Sequence, residues 1–206
     1  MDPVLASLIE SPVAATILVI TVITSMRAFK EPALMEKFLF IPTRVYHQKE
    51  YSRLFTSGLI HANTPHLAFN MLTFFFFAFT LERILGHWQF AVFYVLSLAL
   101  SEVTTLFKYK DAHHYRALGA SGAVSAVVMG MIMLFPMQKL YLMFIPIGIP
   151  GWLFGILYIL YSQYAAKKNN DNIGHEAHLW GAISGIVLTI IFYPGVINNI
   201  MHLLGM

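Results

Sequence analysis

The sequence predicts an all-α, polytopic membrane protein: a bundle of six transmembrane helices with one long interfacial loop. Three observations carry that prediction. Of 206 residues, 58% are hydrophobic and only 11% are charged, less than half of the roughly 25% typical of a soluble domain, so the chain cannot build an ordinary water-facing surface. Its 13 basic and 10 acidic residues crowd into a few short stretches. Between those stretches lie six segments almost free of charge, each close to the roughly 20 apolar residues that cross a hydrocarbon core.

Composition also excludes several function classes. Without cysteine there is no disulfide framework, thiolate zinc site, iron-sulfur cluster or cysteine nucleophile; the redox compartment stays open. A net charge of +3 is too small to argue for nucleic acid, and in such a chain basic residues first meet lipid head groups, so the expected partner is the bilayer.

The first predicted helix, residues 11–26, is apolar and β-branched. It lacks the basic leading region of a signal peptide, Asp2 and Glu10 being its N-terminal charges, and is read as retained. Residues 27–61 form the long loop, with Pro32, Pro42 and the run Phe38-Leu39-Phe40-Ile41; a connection of that length is usually functional or a structured insertion. Arg53 and Glu50 are placed to pin it. The second helix, 62–81, carries Phe74 to Phe77 and ends in a turn marked by Glu82, Arg83 and Gly86. The third, 88–107, holds one acid, Glu102, read as a polar contact inside the bundle. The fourth spans 117–138. The fifth starts near Ile149, because Pro146 and Pro150 disfavour an earlier helical start, and runs to 166. The sixth, 177–193, stops at Tyr193-Pro194-Gly195, and the tail is predicted to lie along the interface. Trp180 is read as an interfacial anchor, and His113 and His114 as solvated loop residues. No repeat or soluble module interrupts the chain, which is read as one membrane domain, 1–206.

Six spans place both termini on one side. The loops after helices one, three and five carry Arg27, Lys30, Lys37, Arg44, Lys49, Arg53, Lys108, Lys110, Arg116, Lys167 and Lys168, against Arg83 and Lys139 on the other side. The positive-inside rule alone puts those three loops in the cytoplasm.

Polar groups at membrane depth are costly unless paired or functional, and here they gather at the starts of helices two, four and six, which enter from one side. Gly119-Ala120-Ser121-Gly122 opens the fourth helix and Ala177-His178-Leu179-Trp180-Gly181 the sixth, while His61, His66 and Asn70 lie at the start of the second. A serine at a helix N-terminus has unpaired amides and the positive dipole end beside it, which favour a developing oxyanion. Taken alone, Ser121 reads as a helix cap and His178 as an interhelical hydrogen-bonding group. Together they are the minimum pair for nucleophilic acyl transfer, with His178 as base and then acid. His66 and Asn70, four apart, share a helix face and can both donate. They read either as oxyanion donors alongside the Ser121 amide or as a polar clamp between helices.

These residues resemble the rhomboid intramembrane serine proteases, of the prokaryotic type with a six-helix core. The resemblance rests on the long first loop with Arg53, His66-x-x-x-Asn70, Gly119-x-Ser121-Gly122 and Ala177-His178-x-x-Gly181, in that order on helices two, four and six. It implies a Ser121-His178 dyad without an acidic third member, an oxyanion and substrate-binding site including His66, Asn70, Gly119 and Ser121, and no cofactor or metal. It further implies transmembrane proteins as substrates and residence in a cell membrane, the inner or plasma membrane of a prokaryote. The site then opens to the noncytoplasmic side, against the positive-inside count, and helix five with the loop capping the cavity moves as substrate enters. One departure stands out. Where the family often has an aromatic residue stacking on the catalytic histidine, four positions after the nucleophile, this chain has Ser125, so His178 must be oriented from elsewhere, with packing through Gly181 and Gly185 one means.

Two other classes remain. His175, Glu176 and His178 near His61 and His66 could bind a metal in a transporter or metalloprotease, although His-Glu-Ala-His lacks the His-Glu-x-x-His spacing. An inactive relative that binds transmembrane segments is the other.

Overall fold

The computed structural model describes residues 8–141, 147–168 and 174–203. Its helices are α1 (Pro12–Ala28), α2 (Pro32–Phe38), α3 (Pro42–Gln48), α4 (Arg53–Thr56), α5 (Thr64–Leu85), α6 (His87–Tyr109), α7 (Ser121–Leu134), α8 (Gly151–Lys168), α9 (His175–Phe192) and α10 (Gly195–Leu203). A 3-10 turn, Ser57–Leu59, follows α4, and two short strands, β1 (Lys139–Tyr141) and β2 (Gly148–Pro150), precede α8. Among the described residues α5, α6 and α9 are long and apolar enough to cross a membrane, and α1 and α7 are shorter apolar helices.

Where helix ends depart from the charge-free stretches, a local cause is visible. The second helix continues past Leu81 to Leu85 because Glu82, fully buried, turns inward and accepts from the Val13 and Ala14 amides at 3.1 and 2.6 Å. It thereby satisfies orphan donors at the start of α1. His87 Nδ1 lies 2.6 Å from the same carboxylate, and Gly86, at φ +92°, makes the turn between the helices. At the other end of α5, Asn63 accepts from the His66 amide at 2.9 Å, a side-chain cap followed by Pro65 in the first turn.

Helix α7 is shorter than 117–138 at both ends. Ala117 is tied to Phe40 by a pair of backbone hydrogen bonds, and Gly119 sits at φ +112°, so the helix starts at Ser121. Pro136 disfavours the helical conformation at Phe135, which sits at φ −132° and ψ 63°, and the helix stops at Leu134. The chain then forms an antiparallel pair, Leu140 opposite Ile149. Pro150 thus belongs to a strand, and α8 begins one residue later.

The long first loop is a folded unit. Arg53, 5% exposed, bonds to Glu50 and donates to the carbonyls of Glu36 and Leu39 at 2.9 and 2.8 Å, tying α4 to the end of α2. Much of the basic charge on this side is partnered. Arg116 and Arg44 meet Glu36 at 2.8 and 3.6 Å, Lys108 meets Glu176 at 3.0 Å, and Lys110 and Lys168 lie over the rings of Tyr46 and Tyr164.

At the centre α7 is buried along almost its whole length. Phe74, Phe90, Phe93 and Tyr94 from α5 and α6 pack around it, with Phe74 edge-on to Tyr94 at 5.4 Å. Against α9 the backbones touch. A Cβ on Gly181 would overlap the Gly122 carbonyl and lie 2.9 Å from its Cα, and one on Gly185 would overlap the Ala126 carbonyl. Small residues allow this approach, and nothing larger would. The tail forms α10, anchored by the fully buried Val196.

Candidate active site

The approach of α7 to α9 decides where the two candidate reacting groups stand. Ser121 is the first residue of α7, beside Gly122; His178 lies in the first turn of α9, three residues before Gly181. The contact of Gly122 with Gly181 therefore brings the starts of the two helices together, and a Cβ on Gly122 would also come within 3.3 Å of the Ala177 carbonyl. Both candidate side chains are half-exposed. The helix-cap reading of Ser121 does not hold: Ala120 occupies the capping position, with no side-chain cap bond. The amides of Ser121, Gly122 and Ala123 in the first turn of α7 have no intrahelical acceptor, the arrangement that favours a negative charge at this point.

The turn that presents Ser121 is held from outside its own helix. Phe40 pairs with Ala117 through 2.9 and 3.0 Å bonds, and the Gly119 amide donates to the Ser57 carbonyl at 2.9 Å. His61, fully buried, accepts from the Ala120 amide through Nε2 at 3.4 Å. Its tautomer follows from its other neighbour. The single hydroxyl hydrogen of Ser25 goes to the Leu59 carbonyl at 2.9 Å, so His61 Nδ1–H donates to Ser25 at 3.0 Å. Burial, then the adjacent His66, lowers the His61 pKa to about 3, which keeps Nε2 an acceptor. Sequence reasoning marked His61 as a polar group at depth without finding this role; its partners Ser25 and Ala120 come from two distant segments that no spacing rule links.

His66 and Asn70 do share one face of α5. The His66 ring stands edge-on to His61 at 4.9 Å and covers Gly119, where a Cβ would fall 2.8 Å from its Cε1 and 3.0 Å from its Nε2. Gly119 is thus required twice, for its positive φ and for this space. Asn70 is buried and donates to the His66 carbonyl at 3.0 Å; its second amide hydrogen remains for another acceptor. If the pair serves a developing oxyanion, His66→Ala and Asn70→Ala each lower kcat with little change in KM, by up to about 10²-fold. Steady-state kinetics on a transmembrane substrate measures this. A loss of thermal stability with turnover intact would make the pair a packing clamp.

Against His178 stands a residue that the sequence did not mark. Tyr158 of α8 stacks on His178 with centroids 6.5 Å apart and planes at 23°, and its hydroxyl lies 2.6 Å from Ser125 Oγ. His175 meets His178 edge-on at 5.9 Å. Glu102 is buried in α6, one carboxylate oxygen without a hydrogen bond among the described residues. His113 and His114 are exposed in their loop, and Trp180 is exposed on α9. Among the described residues no three His, Asp or Glu side chains are grouped to hold a metal ion.

A partly buried serine at one helix start, a histidine in the first turn of the helix packed against it, and a histidine-braced turn leading into the serine, all in an apolar helical bundle, define an all-α membrane protein with a polar candidate site. Comparison with known proteins agrees with that class: the Rhomboid domain profile matches residues 48–195, and the chain belongs to the rhomboid family. "RHOMBOID-like protein 12, mitochondrial" of Arabidopsis thaliana is 31% identical over 172 residues, covering 76% of this chain and 50% of that protein. "Putative rhomboid protease YdcA" of Bacillus subtilis is 30% identical over 146 residues, 69% of this chain and 67% of that protein. Rhomboid protein 1, mitochondrial, of Saccharomyces cerevisiae is 26% identical over 155 residues, 72% and 45% respectively. The chain spans about half the length of the mitochondrial relatives.

Proposed function

We propose that this protein is an intramembrane serine endopeptidase that hydrolyses peptide bonds in or near the transmembrane segments of other membrane proteins. The observation that carries the reading is the Gly122–Gly181 contact, which brings the start of α7, where Ser121 stands, against the first turns of α9, which carry His178. In the proposed cycle His178 takes the Ser121 proton as Oγ attacks the substrate carbonyl carbon. The oxyanion forms beside the free amides of α7, His66 and Asn70. Collapse breaks the C–N bond, His178 returns the proton to the leaving amine, and water then cleaves the ester by the same steps. The family membership and the protease named in Bacillus subtilis support this. A fluorophosphonate probe tests it: the protein is labelled, and Ser121→Ala is not. A binder of transmembrane segments without chemistry would show no labelling.

We place the protein in a cell membrane with the site opening to the noncytoplasmic side. Partnering of Lys108, Arg44, Arg53 and Arg116 by acids on their own side supports this orientation, since these charges serve the folded loops as well as the bilayer. The chain contains no cysteine, so single cysteines report cleanly. With a membrane-impermeant thiol reagent on intact cells, Asn169→Cys labels and Gln138→Cys does not. The reverse pattern would turn the site toward the cytoplasm.

A further inference from the structure

We propose that Tyr158 is a positioning residue that fixes the His178 imidazole relative to Ser121. The inference rests on the reading of those two as the reacting pair. Ser125 Oγ lies 2.7 Å from the Ser121 carbonyl and 2.6 Å from the Tyr158 hydroxyl. A serine has one hydrogen to give; the carbonyl can only accept, so Ser125 donates to Ser121 and Tyr158 donates to Ser125. A directed chain thus runs from the phenol on α8 to the backbone of the nucleophile on α7. The same phenol ring faces His178 on α9, nearly parallel to it, within the range of favourable ring pairs.

The tyrosine itself is held on a further side. Phe154, one turn earlier on α8, stacks on it at 5.9 Å and 16°. Its ring therefore has little freedom to rotate, and a rigid face limits the tilt of the imidazole beside it. One side chain joins both halves of the pair: its oxygen reads the position of Ser121 and its ring sets the plane of His178.

The test uses the full chain in detergent with a transmembrane substrate, with Ser121→Ala and His178→Ala run in parallel. Tyr158→Leu, which removes both ring and hydroxyl, should lower kcat by roughly 10- to 100-fold, the scale on which small misplacements act, while KM stays within about twofold. Tyr158→Phe restores the ring and should recover most of that loss. Ser125→Ala, which loses the bond to the Ser121 carbonyl as well as the one to Tyr158, should lower kcat at least as far as Tyr158→Phe, and the double variant should be no worse than Ser125→Ala, because the Tyr158–Ser125 bond can be lost only once. If kcat is unchanged in Tyr158→Leu, or only KM rises, while Ser121→Ala and His178→Ala are inactive, the positioning role is overturned and the dyad stands. Cleavage by Ser121→Ala overturns the dyad itself. If Tyr158→Leu does not fold, Tyr158→Phe and Ser125→Ala decide: a several-fold, non-additive fall in kcat supports the role, and full or additive rates overturn it.

Discussion

Ser121→Ala and His178→Ala each abolish cleavage of a transmembrane substrate, with a fall in kcat on the order of 10⁴-fold or more, the scale on which members of a nucleophile-base unit act. The effects do not add: the double variant is no slower than either single one, because each removes the same proton transfer. Folding is nearly untouched, since both side chains are half-exposed and truncation leaves no large cavity. Chelators leave the rate unchanged. Product analysis by mass spectrometry with and without each substitution makes the measurement. Turnover that survives in Ser121→Ala, or that disappears with chelator and returns with zinc, sinks the proposed chemistry.

Gly181→Val has the second-largest effect, and it acts on stability and rate together. The added side chain would occupy the space of the Gly122 backbone, which cannot rotate aside as a flexible side chain can. Overpacking costs typically 1–3 kcal/mol, and about 3 kcal/mol is expected where the obstacle is backbone. The helices relieve the clash only by separating, and that moves Ser121 away from His178, so kcat falls by a further ~10²-fold in whatever fraction remains folded. Gly185→Ala, pressing on Ala126 one turn deeper, lowers stability with a smaller loss of rate. Gly174→Ala is the control: the nearest atom to a new Cβ there is 3.8 Å away, and both properties stay at wild-type values. Thermal unfolding in detergent beside kinetics separates these outcomes. Normal stability and turnover in Gly181→Val would mean that the glycine contact does not set the geometry of the site.

How much of this was legible before any coordinates depends on the kind of signal each element leaves. The candidate site residues Ser121, His178, His66 and Asn70 are visible because polar groups at helix starts are rare in so apolar a chain. Their numbering alone places them at one end of three helices. Helix ends were less legible, because a stretch without charge measures solubility in lipid and not backbone geometry. Glu82 lies inside its helix because it has amides to receive it, and Pro136 ends α7 without any charge nearby. The pairing of β1 with β2 left no trace, since Leu140 and Ile149 are as apolar in a strand as in a helix. Tyr158 was hidden for a different reason. It shares α8 with Tyr161 and Tyr164, and only the meeting of three helices distinguishes it. The faint signal was Ser125, a hydroxyl in the middle of an apolar helix that needed a partner.

The bracing of the nucleophile turn also bears on where the working unit of this protein begins. The family profile starts at residue 48, yet Phe40 pairs with Ala117 and Ser25 holds His61 from before that boundary. A fragment cut to the recognisable segment would keep every motif residue and lose both struts. Grafting experiments, chimeras with the longer relatives and minimal expression fragments must therefore carry the chain from α1 onward, because the part that can be recognised is smaller than the part that holds the serine in place.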